Sequence, residues 1–194
     1  MAVSRPRTLL AAFALALGLA LAETARADAP APVVVAEDEP ALLAKAAYLS
    51  DRNALMTVLA TWGTVNVVAG SGVLATATDD FARGFGIQAI SWGAVNAIIA
   101  GISLAQSPSI AREREPEREW LRRRRFMRDA FWVNFALDVA YVTAGSIMWA
   151  AAMSRDPASR DRMVGGTGAG IAVQGAALFV FDALGALLSD STLP

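Results

Sequence analysis

The chain contains no cysteine and no histidine. Those absences together remove disulfides, thiolate chemistry, imidazole bases and the usual zinc ligands. Lysine is nearly missing too: Lys45 is the single one, and the remaining basic residues are arginines, which do not readily give up a proton. The formal charge of −1 on 194 residues excludes the positive field of a general nucleic-acid binder. Charge is also absent from long stretches. Residues 55–77 and 84–106 carry none, 130–153 is broken only by Asp138, and 164–189 only by Asp182. The chain is 55% hydrophobic with a mean hydropathy of +0.43, and its apolar residues are gathered into those blocks, whereas a soluble domain disperses them.

Each block is near or above the roughly 20 residues that cross the hydrocarbon of a bilayer. The expected architecture is all-α, an integral membrane four-helix bundle at 55–189, followed by a tail at 190–194. Short first and third connections make it two antiparallel hairpins. Upstream, Arg5 and Arg7 precede an apolar run at 8–22 and an Ala25-Arg26-Ala27 cleavage pattern. These read as a signal peptide over 1–27. Residues 28–54 read as a linker and a short interfacial helix, the helix covering 41–53 with Leu42, Ala46 and Leu49 on its apolar side. Orientation stays open. A cleaved signal sends the arginine-rich connection outside, and the positive-inside bias keeps it inside.

Within the blocks, Thr61-Trp62-Gly63-Thr64-Val65-Asn66 recurs as Ser91-Trp92-Gly93-Ala94-Val95-Asn96. An amide inside an apolar span is costly unless it has a partner. Gly63, Asn66 and Gly70 are spaced i, i+3, i+7 and share one helix face, as do Gly93, Asn96 and Ala100. The same spacing recurs as Asp138, Tyr141, Gly145 and as Gly175, Leu178, Asp182. Small residues on such faces admit close helix contact, so the polar member should face another helix. Counting about 1.5 Å of rise per residue from one side puts Asn66 and Tyr141 near ~16 Å, Asn96 near ~15 Å, Asp138 near ~12 Å and Asp182 near ~10 Å. One inward polar layer is expected, with Asn134 a turn shallower than Asp138, and Gln88 and Gln174 deeper. Two carboxyl groups brought together cannot both hold charge cheaply, so Asp138 and Asp182 are expected to share a proton, bonded to each other or to Asn66, Asn96 or Gln174.

Residues 112–128 alternate Glu and Arg and then run into Arg122-Arg123-Arg124-Arg125. Acid at the start and base at the end complement a helix dipole, so a charged helix entering the third span is expected. Its arginines read as a solvated topological anchor or as a patch for anionic lipid headgroups. Trp120, Trp132 and Trp149 fit interfacial anchors, and Trp62 and Trp92 fit packing. The run Gly165-Gly166-Thr167-Gly168-Ala169-Gly170 lacks the lysine of a phosphate loop and fits a GxxxG helix contact.

These motifs resemble an uncharacterised bacterial family of small membrane proteins. Its W-x-x-x-N pattern stands here as Trp62 and Asn66, and again as Trp92 and Asn96. N-x-x-L-D-V-x-Y stands as Asn134, Leu137, Asp138, Val139 and Tyr141, and Q-G-x-x-L-x-x-F-D as Gln174, Gly175, Leu178, Phe181 and Asp182. The family often opens its second span with F-H-Q-M-N, where this chain has Phe85-Gly86-Ile87-Gln88-Ala89 and so no imidazole. The resemblance implies an integral membrane protein with an N-terminal export signal and supplies no activity; the expected location is a bacterial inner membrane, crossed several times. Two functions follow as expectations. One is a non-enzymatic structural or interaction protein with no metal or cofactor, its partners the bilayer and a second copy of itself. The other is a proton- or cation-coupled carrier, or a small polar solute binder, acting through Asp138 and Asp182.

Overall fold

The computed structural model describes residues 38–190. The expected signal peptide, the linker before residue 38 and residues 191–194 of the tail lie outside the described residues. Four α-helices follow one another: α1 Glu39–Thr76, α2 Asp80–Arg112, α3 Glu117–Met153 and α4 Arg162–Asp190, with a 3-10 turn at Pro157–Ser159. Among the described residues there is no strand. All four helices are long and apolar enough to cross a membrane.

Local chemistry sets the starts. The Asp38 carboxylate accepts the Ala41 N–H at 3.1 Å ahead of α1, and Asp79 accepts the Ala82 N–H at 2.9 Å ahead of α2. Such caps satisfy amides that have no intrahelical partner. The Ala82 N–H, and to a lesser degree Arg162, hold the Asp79 carboxyl below its ordinary value. Arg162 reaches Asp79 at 2.7 Å, joining the start of α4 to the start of α2. Pro116 caps α3 by position, one residue ahead of the first turn it was expected to occupy, and Glu117 and Glu119 follow it.

The helices pack as two antiparallel hairpins, α1 on α2 and α3 on α4, with α2 also lying against α4. Glycine makes both hairpins close. A Cβ on Gly63 would meet Ala97 N and Gly93 O at 2.6 Å, and one on Gly93 would meet Gly63 O at 2.6 Å. Gly145 and Gly168 face each other in the same way across α3 and α4. Gly166 and Gly170 press on Phe81 and Gln88, so the GxxxG match is a contact of α4 with α2. That contact lies at the end of the bundle where α2 and α4 begin. At the other end, where α1 and α3 begin, those two helices meet instead.

This second end differs from expectation. No separate helix covers 41–53; the segment is the first part of the continuous α1. Its inward side is also different. Ala41, Lys45, Tyr48 and Arg52 are buried, and Leu42 is exposed. The cause is tertiary: Trp120 of α3 is fully covered by Ala41, Ala44 and Tyr48, so packing outweighs local hydropathy. Trp120 is therefore not an interfacial anchor, whereas Trp132 and Trp149 are exposed on the outside. Arg124 is buried too, at 2% exposure, which a solvated anchor would not be.

Candidate functional site: a two-tier polar interior

Every trio expected to face inward does so. Gly63, Asn66, Gly70, Gly93, Asn96, Ala100, Asp138, Gly145, Gly175, Leu178 and Asp182 are buried, and Tyr141 is half-buried. Their partners divide them into tiers. In the deeper tier, Gln174 Nε2 donates to Asn66 Oδ1 at 2.5 Å, and Asn66 Nδ2 donates back to Trp62 O at 2.8 Å. This amide pair joins α1 to α4, which otherwise touch sparsely across the bundle diagonal. The other diagonal is closed at a similar level by Trp92 of α2 and Tyr141 of α3, edge to face with centroids 5.0 Å apart.

In the shallower tier, the buried Asp138 of α3 and Asp182 of α4 lie close enough to interact. A bond between two carboxyl groups requires a proton on one of them. Gln174 and Asp182 are eight residues apart on one helix, about 12 Å of rise, and Asp138 stands at a level between them, so the tiers adjoin about one turn apart. The single layer expected from counting along the spans is thus two layers, and Asn66 belongs with Gln174 and not with the acids. The cause is that close glycine contacts set the axial registers of the helices. Asn134 is half-buried a turn from Asp138, and Asn96 is buried between the tiers. Among the described residues no group of three or more His, Cys, Asp and Glu could hold a metal ion.

A second polar constellation escaped the sequence reading. At the end where α1 and α3 meet, Arg124 Nη2 pairs with Asp51 Oδ2 at 2.6 Å and Arg123 with Glu113 at 2.6 Å. Lys45 Nζ donates to Glu113 O at 2.6 Å. Arg52 donates to Ser107 Oγ at 2.9 Å, and Ser107 donates on to Asn53 Oδ1 at 2.6 Å. Lys45 and Arg123 each stand over the Trp120 ring, at 5.6 and 4.8 Å from the centroid. The signal was present: Lys45, Tyr48 and Arg52 have the same i, i+3, i+7 spacing as the inward trios of the spans.

The fold and interior define a compact α-helical bundle whose four members are long and apolar enough to cross a membrane, with paired polar groups in its middle. The chain belongs to DUF6992, a family of unknown function, whose profile matches residues 58–183. That segment holds all seven candidate residues and agrees with the resemblance to an uncharacterised family. No curated protein and no solved structure matches the chain.

Proposed function

We propose that the protein is a non-enzymatic, multi-pass component of a bacterial inner membrane, structural or interacting in role, whose polar interior fastens one helical hairpin to the other. The observation that carries this reading is the Asn66–Gln174 bond, which crosses the bundle diagonal between helices with little other contact. Interhelical amide bonds in membranes contribute about 0.6–2 kcal/mol each. A thermal-unfolding cycle in lipid tests it with Asn66→Leu, Gln174→Leu and the double variant. A coupling of about 1 kcal/mol is expected. Additive losses would remove the reading.

The bilayer is the first partner in this proposal. Anionic headgroups join it through the outward arginines: Arg114, Arg118 and Arg125 are exposed, and Phe126 and Trp132 follow them on the outer surface. A basic rim above exposed aromatics suits the level of lipid headgroups.

The meeting of Asp138 with Asp182 favours a second reading, a proton- or cation-coupled carrier or a binder of a small polar solute. Ionisable groups inside a span are functional candidates. Four helices are few for a carrier, so this reading would have two copies working together. Asp138→Asn and Asp182→Asn keep hydrogen-bonding capacity. Under the carrier reading they abolish a pH- or cation-dependent rise in Tm while the fold persists. Under the structural reading the wild type shows no cation-dependent rise in Tm, and the variants keep a Tm near that of the wild type at neutral pH.

A further inference from the structure

Four buried polar atoms where the two tiers adjoin have no hydrogen-bond partner within the protein: Trp62 Nε1, Asn96 Nδ2, Asp138 Oδ2 and Gln174 Oε1. They come one from each helix. The indole and amide nitrogens can only donate, and the Gln174 carbonyl can only accept. Asp138 Oδ2 accepts when that carboxyl is ionised or carries its proton on the other oxygen. The set is therefore balanced, two donors facing two acceptors. Asn96, Asp138 and Gln174 are 5%, 3% and 1% exposed, so bulk water does not reach them from outside. Leaving such groups unmatched costs about 1–3 kcal/mol apiece, too much to leave four times over in one small bundle.

Register places the four at a similar height. Gln174 holds Asn66, and Trp62 is one turn from Asn66 toward the charged end. A Cβ on Gly93 would meet Asn66 Cβ at 2.8 Å, and Asn96 is one turn from Gly93 in the same direction. A Cβ on Gly175 would meet Tyr141 Cβ at 3.0 Å, and Asp138 is one turn from Tyr141, again in that direction. All four atoms consequently belong to about one helical turn, or ~5 Å of height, in a bundle with glycine-close hairpins.

We infer that this turn is a hydration site. Its ligand is water, bound inside the bundle, accepting from Trp62 and Asn96 and donating to Asp138 and Gln174. Water is the smallest molecule able to meet two donors and two acceptors at once, and buried waters make about three such bonds. The site links the level of the acid pair to that of the amide pair. It stands whether the bundle is a scaffold or a carrier.

The test is hydrogen exchange in the full-length protein in lipid, followed by NMR of the Trp62 indole and Asn96 side-chain amide. Both protons should exchange with deuterated solvent faster than the backbone amides of Gly63 and Ala97 beside them. Persistence as long as those backbone amides would overturn the site. Asn96→Leu supplies an independent readout through stability. If water bonds the amide, the variant should lose roughly 2–4 °C in Tm. If the amide is bare, its removal relieves a desolvation cost, and an unchanged or raised Tm would count against hydration. Trp62→Phe, which keeps the ring volume, should fall in Tm as Asn96→Leu does; no change there would likewise count against the site.

Discussion

The two polar regions of this bundle hold helices together by different means. At the charged end, Arg124 meets Asp51, Arg123 meets Glu113, and both pairs surround an aromatic pair of Tyr48 and Trp120, with centroids 5.9 Å apart. In the interior the joins are amide to amide and acid to acid, and neither partner is a cation. The difference follows from cost. An ion pair whose carboxylate keeps contact with solvent is tolerable, and Asp51 and Glu113 are 26% and 36% exposed at their side chains. Deeper in an apolar bundle a full charge is far more expensive, so neutral hydrogen bonds take over. Both regions use one sequence device, a polar residue with small or aromatic neighbours at i, i+3, i+7.

The sharpest way to break this contrast is Trp120→Ala. Truncating a fully buried tryptophan costs about 3–5 kcal/mol, and here it also uncovers Lys45 and Arg123. The expected result in lipid is a large fall in Tm, with loss of amide protection first at 39–54 and 117–129. Simultaneous loss in the spans would mean that the two regions form one cooperative unit. Arg124→Met comes next. Removing one member of a buried ion pair leaves Asp51 without it, for a cost of about 3 kcal/mol, less where Asp51 reaches water. Measured against Trp120→Ala by thermal unfolding, it separates charge pairing from aromatic packing.

Gly93→Ala addresses the interior. Its new Cβ would meet Gly63 O at 2.6 Å and Asn66 Cβ at 2.8 Å, so α1 and α2 must separate or shift, for about 1–3 kcal/mol. Because that shift moves Asn66, the Asn66–Gln174 coupling should shrink in the same background. The smallest effect concerns the cap of α2. The Asp79 carboxyl lies below its ordinary 3.8 in the folded chain, so its contribution is present above pH 3.8 and is lost as pH falls through its lower folded value. Asp79→Asn should remove that acid-side dependence and lower stability slightly at neutral pH, since the amide keeps a cap acceptor but not the charge that pairs with Arg162, by titrated thermal unfolding.

Much of the interior was readable from the amino-acid order, and the reason is local. A glycine or amide at a fixed helical spacing within an uncharged run marks an inward stripe wherever its partner comes from. The partner itself was not readable. Asn66 takes Gln174, 108 positions away, because hairpin packing fixes how far each helix slides along its neighbours. Counting depth from span ends carries errors of a few residues, enough to merge two tiers into one. The same limit governed the first helix. Local patterning groups Leu42, Ala46 and Leu49 on one side and leaves Lys45 and Arg52 elsewhere. Trp120 on α3 turns Lys45 and Tyr48 inward, and Ser107 and Gln106 on α2 do the same for Arg52. Arginine runs mislead similarly, since adjacent positions on a helix point about 100° apart: Arg124 is buried, and Arg125 beside it is exposed.

The unbroken length of α1 gives the molecule a lever. Its 38 residues make a rod of about 57 Å, against some 30 Å of hydrocarbon. The clamp around Trp120 acts as a fulcrum near one tip, and Asn66 rides on the long arm beyond it. A push or twist delivered at Glu39 is not absorbed by any joint on the way. Glu39 and Asn66 are thus joined by one unbroken helix over about 40 Å.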